Sequence, residues 1–210
     1  MRLEVFTGPP FDENAYLLAD DDGEAAIVDP GDGAASLLVR ARALGLRVRR
    51  ILLTHAHLDH ISNVDLVKAE YDAPIYLHAA DRPLYDAIVE QGRYFGIPMR
   101  PQPLVEHSLV EGMTIELGTL SIHVHETPGH SPGGVVFDVR DSAGQVTILS
   151  GDTLFAGSIG RTDLPGGDYS TLIDSIQRVL LALPDNVVVH PGHYGATTIG
   201  AERRGNPFLK

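Results

Sequence analysis

Four side chains able to hold a metal ion fall within six residues of this chain: His55, His57, Asp59 and His60. The apolar run Arg50–Thr54 before them reads as a buried strand. In extended backbone the side chains at i and i+2 point the same way, so His55 and His57 can reach one ion together. Asp59 and His60 fall on the turn towards a helix expected to open near Ser62 and can face a neighbouring position, so one short loop can serve two ions. Further candidates follow strand-like runs elsewhere. His130 comes after Leu120–His125, Asp152 after Val146–Ser150 and His193 after Val187–His190, and a glycine directly precedes each of the three. Any one of these is an ordinary polar turn when taken alone. Four strand ends carrying imidazole or carboxylate in one chain point to a metal centre. With no cysteine present, thiol nucleophiles, disulfides and iron–sulfur clusters are excluded, and any ion must be held by His and carboxylate. Such donors suit zinc, with iron or manganese as alternatives.

The other polar candidates receive plainer readings. His123 and His125 alternate on one strand face and are candidates for supporting hydrogen bonds, while His190 is read as packing at a strand end. His78 and His107 are expected at the surface, and Ser131 is read as a turn hydroxyl.

The segments that must position these residues are short. Strand-like runs cover Arg2–Thr7, Ala15–Ala19, Ala25–Asp29, Arg50–Thr54, Ile75–His78, Thr114–Leu117, Leu120–His125, Gly134–Val139, Val146–Ser150 and Val187–His190. Helical periodicity covers Gly33–Leu44, Ser62–Tyr71, Asp81–Phe95 and Ser170–Leu183. Each half opens with a strand meander and then alternates strand and helix, a pattern that predicts mixed sheets covered by outer helices. The segment Arg93–Val105, with Pro98, Pro101 and Pro103, reads as an ordered surface loop. No flexible linker divides the chain, so residues 1–210 are expected to form one domain.

Composition narrows the function classes. The chain has 16 Lys and Arg against 28 Asp and Glu, a net charge of −12 that disfavours nucleic acid. No apolar run approaches the roughly 20 residues needed to cross a bilayer, and no signal-peptide pattern opens the chain. A cytoplasmic location without a membrane partner is expected; oligomeric state is not legible.

His55-x-His57-x-Asp59-His60, followed in order by His130, Asp152 and His193, resembles the metallo-β-lactamase superfamily over nearly the whole chain. The stretches Gly151–Asp163 and Pro191–Leu209 resemble its glyoxalase II branch, in particular short bacterial hydrolases. The resemblance implies a four-layer αββα sandwich of two mixed β-sheets flanked by helices. It also implies two divalent metal ions, one held by His55, His57 and His130, the other by Asp59, His60 and His193, with Asp152 bridging. Two cations about 3.5–4 Å apart lower the pKa of a water between them towards 7 and polarise a substrate carbonyl. Asp59, His60 and Asp152 then carry the catalytic roles, Asp59 by orienting the hydroxide, and no protein nucleophile is needed. The implied activity is hydrolysis of a small-molecule thioester such as the glutathione conjugate S-lactoylglutathione.

Three departures from the branch matter. The helical C-terminal domain of full glyoxalase II enzymes has no counterpart in the short tail after His193. Tyr194 stands one position away from the family's glutathione-contacting Tyr. Arg161 replaces a Lys, and it either binds a substrate carboxylate or pairs with Asp163 or Asp168. The neighbouring persulfide dioxygenases share Gly160-Arg-Thr-Asp163 and use one iron at positions matching His55, His130 and Asp152. Lactonases share the scaffold too, and a non-enzymatic metal-binding module is the remaining class.

Overall fold

The computed structural model describes residues 1–210. Strands β1 (Arg2–Phe6), β2 (Ala15–Ala19) and β3 (Glu24–Val28) form an antiparallel meander. Helix α1 (Ala34–Ala43) then crosses to β4 (Arg47–Leu52), and β5 (Ile75–His78) and β6 (His107–Leu109) extend the sheet in parallel. Helices α2 (Leu58–Ile61) and α3 (Val64–Tyr71) join β4 to β5, and α4 (Arg82–Asp86) and α5 (Ile88–Phe95) lie between β5 and β6. The second sheet takes β7 (Thr114–Leu117), β8 (Leu120–Glu126), β9 (Val135–Arg140) and β10 (Val146–Gly151) as an antiparallel meander. A small hairpin, β11 (Leu154–Phe155) and β12 (Ser158–Ile159), and helix α6 (Tyr169–Ser175) precede β13 (Val188–Pro191), which joins the second sheet parallel to β10. β14 (Thr197–Thr198) and α7 (Ile199–Gly205) complete the chain. The result is two mixed sheets, ordered β1-β2-β3-β4-β5-β6 and β14-β13-β10-β9-β8-β7, with flanking helices.

The continuous apolar runs of the strands are explained by burial on both faces. Along β2, Tyr16 and Leu18 point between the sheets, where Leu52, Phe137 and Leu149 also pack. Ala15, Leu17 and Ala19 point outward against α1 and α3, through Leu37, Leu38, Val64 and Val67. In the second sheet Val136 and Ile148 turn outward to Leu172, Ile176 and Ile199. The period-2 alternation of the central strands β2, β3, β4, β9 and β10 thus feeds two apolar layers at once. The sandwich matches the expected αββα architecture, and no helix is long and apolar enough to cross a membrane.

Several local expectations are corrected. β4 ends at Leu52 rather than Thr54, because the Thr54 amide donates to the Asp29 carboxylate instead of a ladder partner, at 2.7 Å. The helix expected over Asp81–Phe95 breaks at Ala87, and Ser62 ends α2 instead of opening a helix. The run Ser170–Leu183 is helical from Tyr169 to Ser175 and continues as a wider π-turn over Ile176–Leu180. β6, β11, β12 and β14 were too short to carry a periodic signal.

Candidate metal centre

The strand ends make the site. β4, β8, β10 and β13 run so that their C-terminal ends meet at one edge of the sandwich, and each is followed by a loop bearing an imidazole or a carboxylate. His55 lies in the loop after β4, His57 caps α2 in extended conformation, and Asp59 and His60 occupy the first turn of that helix. His130 sits on the turn after β8. Gly151 supplies a left-handed backbone at φ +47°, turning the chain out of β10 and presenting Asp152; a Cβ there would strike Thr54 Oγ1 at 2.3 Å. Gly192 is needed for space, since a Cβ would come within 2.2 Å of Asp152 Oδ1 and 2.5 Å of His60 Cε1.

These side chains converge as two adjoining triads, His55–His57–His130 and Asp59–His60–His193, in each of which one ligand atom per residue lies within 4.8 Å of the others. Asp152 stands between them. Its Oδ1 is 3.4 Å from His60 Nε2, and its Oδ2 is 3.6 Å from both His130 Nε2 and His193 Nε2. The structure therefore brings together every metal-ligand candidate named from the sequence.

The donor set fits metal ions. His130 Nδ1 donates to the Arg161 carbonyl at 2.7 Å, His60 Nδ1 donates to Asp29 Oδ2 at 3.0 Å, and His55 Nδ1 faces Thr54 Oγ1 at 3.1 Å. The Thr54 hydroxyl in turn donates to Asp29, so His55 Nδ1 is the donor in their contact. Each of these rings thereby turns Nε2 towards the cluster, the arrangement by which outer hydrogen bonds aim metal-ligating imidazoles. His130 Nε2 then lies 2.8 Å from His57 Nδ1 and 3.2 Å from His55 Nε2, separations at which facing lone pairs repel unless a proton or cation lies among them. His60 Nε2 and Asp152 Oδ1 are buried without a hydrogen-bond partner, an expensive arrangement that a cation would relieve.

Sequence reasoning missed four supporting groups. Asp29, at the end of β3, accepts from His60 Nδ1, the Thr54 amide and the Thr54 hydroxyl. Asp81, after β5, accepts from the Ala56 amide at 2.9 Å, the Ser131 hydroxyl at 2.8 Å and the Gly133 amide at 2.6 Å, tying the His55–His57 loop to the His130 loop. Gln91 of α5 donates to the Ala56 carbonyl and accepts from the Leu58 amide, clamping the same loop. Glu13 is fully buried with neither carboxylate oxygen hydrogen-bonded, 3.8 Å from His60 Nδ1, and burial raises its pKa well above the usual carboxylate range. An acid directly after an apolar strand, as in Val28-Asp29-Pro30-Gly31, was the one signal available.

Other candidates fall outside the cluster. His123 contacts Thr114 and Ser121, and His125 contacts Glu111, so neither supports the centre. His190 packs edge-on against Tyr16, His107 stacks on Tyr76, and Ser131 is the turn hydroxyl expected. Arg161 lines the cleft before the cluster, but Asp163 holds its guanidinium through two bonds, at 2.7 and 2.8 Å. Tyr194 lines the same cleft with an exposed ring, while its carbonyl accepts from Asn14 Nδ2 at 2.8 Å. Arg203 and Arg204 bind the Leu181 and Leu183 carbonyls and Asp185 and do not line the cleft.

Comparison with known proteins agrees with this architecture. The profile of the Metallo-beta-lactamase superfamily matches residues 8–193. Hydroxyacylglutathione hydrolase GloC of Haemophilus influenzae is 38% identical, the alignment covering 100% of this chain and 98% of that protein. Among solved structures, BLEG-1 B3 metallo-beta-lactamase superposes with a TM-score of 0.91 at 40% identity, covering 100% of each chain. TTHA1623, in a di-iron-bound form, superposes at 0.88 with 44% identity, over 98% of this chain and 100% of that one.

Proposed function

Since the chain belongs to the metallo-beta-lactamase superfamily, we propose that it is a dinuclear metallohydrolase that cleaves small acyl thioesters, with S-lactoylglutathione as the reference substrate. The observation that carries this reading is the position of Asp152, whose Oδ2 lies 3.6 Å from both His130 of one triad and His193 of the other, while its Oδ1 lies 3.4 Å from His60 Nε2, which lacks a hydrogen-bond partner. A storage site for a single ion has no use for a carboxylate shared with a second donor set. The thioester assignment draws on GloC, whose alignment with this chain runs end to end.

His55, His57 and His130 would hold one ion, Asp59, His60 and His193 the other, and Asp152 would serve both; zinc fits these donors, as do iron and manganese. Bound divalent ions supply water activation near neutral pH and polarisation of the scissile carbonyl. The chain's own contribution is placement. Asp29, through His60 and Thr54, and the Arg161 carbonyl, through His130, fix which ring nitrogen each imidazole offers. Asp59, which lines the cleft, would accept a hydrogen bond from the attacking water and hold its lone pair towards the carbonyl. A thiolate departs with little acid assistance, consistent with a cleft whose lining includes no Lys, Cys or Tyr apart from the exposed Tyr194.

The test is elemental analysis of the purified protein paired with two assays, S-lactoylglutathione hydrolysis and oxygen uptake with glutathione persulfide. Close to two ions per chain with thioester cleavage is expected. One iron per chain with oxygen uptake would replace this reading with the dioxygenase one.

A further inference from the structure

We propose that the cleft above the centre takes the uncharged aromatic or branched-apolar end of the substrate and discriminates against a charged end such as the glutathione tail. This refinement rests on the hydrolase reading. The cleft, of about 380 Å³, has two aromatic edges. On one, Phe11 and Phe95 meet edge to face at 5.9 Å; on the other, Phe155 and Tyr194 do so at 5.8 Å. Tyr194 is 77% exposed and Phe95 39% exposed, so both rings present apolar surface to water that an apolar group would cover.

Charge on the cleft points the same way. Arg161 is the only Lys or Arg on the lining, and its planar fork is already engaged on both Asp163 oxygens. That hydrogen bonding holds the Asp163 carboxyl down at about 2, so it stays ionised beside Arg161 through the neutral range. One more carboxylate lies nearby: Asp12 shares the adjoining hollow with Phe11 and Tyr194. A glutathione tail brings two carboxylates and one ammonium, a net negative charge, to a rim whose one Lys or Arg is already engaged by Asp163. A neutral benzyl or branched alkyl group meets the rings without that cost.

The test uses the metal-loaded full chain and lactoyl thioesters of benzyl mercaptan, N-acetylcysteamine and glutathione, each rate divided by that thioester's spontaneous hydrolysis. The benzyl thioester should exceed the glutathione thioester in kcat/KM by about tenfold or more, as apolar pockets discriminate. Asp163→Asn, which frees Arg161, should lower KM for the glutathione thioester severalfold, and Tyr194→Ala should lower kcat/KM for the benzyl thioester more than for the glutathione one. Binding read without turnover should follow: in the zinc-loaded protein, benzyl propyl sulfide should shift the ring resonances of Phe11, Phe95, Phe155 and Tyr194 at lower concentration than S-propylglutathione. A glutathione thioester preferred or equal, with a ratio unmoved by Asp163→Asn, overturns the refinement and leaves the hydrolase reading standing. Failure to cleave any thioester overturns both.

Discussion

The two triads use the same imidazole chemistry in opposite protonation regimes. In His55–His57–His130, burial lowers the pKa of His55 well below the usual imidazole value and that of His57 to about 3, with the neighbouring rings adding to the effect. His55 and His57 are neutral at physiological pH. In Asp59–His60–His193, burial also opposes charge, yet Asp152, Asp59 and Asp29 overcome it at His60, and Asp59 and Asp152 do so at His193, so both pKa values rise. Carboxylate proximity, not burial, separates the two sets, since His60 is as deeply buried as His55. A cation entering the first triad meets free lone pairs on His55 and His57, whereas one entering the second must displace protons from His60 and His193.

The largest expected effect tests whether the two triads share a wall. Asp152→Ala should abolish turnover and reduce bound metal below one ion per chain in elemental analysis; one full equivalent retained would show that Asp152 serves a single triad. Removing a donor from the mixed triad alone should separate them. His193→Ala is expected to keep close to one ion per chain and to lower kcat by about 10²–10³, the scale of losing one stabiliser of the developing oxyanion. A variant that loses both ions would mean that the triads load as one unit.

A finer test lies in Asp29, which reaches His60 directly but His55 only through Thr54. Asp29→Asn should weaken metal binding by about 10–100-fold, with the larger loss at the mixed triad, as chelator competition would read out. The mildest perturbation is pH. Because the His60 and His193 pKa values are raised, their protons compete with the ion from the neutral range downward, and acidification should empty the mixed triad first. Because the His55 and His57 values are lowered, the first triad should hold its ion to more acidic pH. Metal content measured after desalting along a pH series should fall in two steps; a single step would abolish the contrast.

The supporting residues show where sequence reading stops. Asp81 is a lone acid after a strand, and nothing near it in the chain distinguishes it from the exposed Asp86. Its partners Ala56 and Gly133 lie 25 and 52 residues away. Asp29 had the stronger local signal, yet its partner His60 is 31 residues distant. The break at Ala87 is likewise tertiary: Gln91, one turn beyond it, is held to the Ala56 and Leu84 carbonyls, tying α5 to the His55–His57 loop. By sequence Arg161 could have bound a substrate carboxylate or paired with Asp163 or Asp168, and the structure engages its Nε and Nη2 on Asp163, two residues on.

The order and type of the donors and the mixed sheets covered by outer helices follow from the sequence, because residue chemistry and the periods of helix and strand are local properties. The tertiary structure alone decided which imidazole nitrogen faces the cluster and which histidine pKa values rise or fall. Those properties depend on carboxylates and carbonyls brought within a few ångströms from distant strand ends, and electrostatic coupling follows distance through space rather than along the chain.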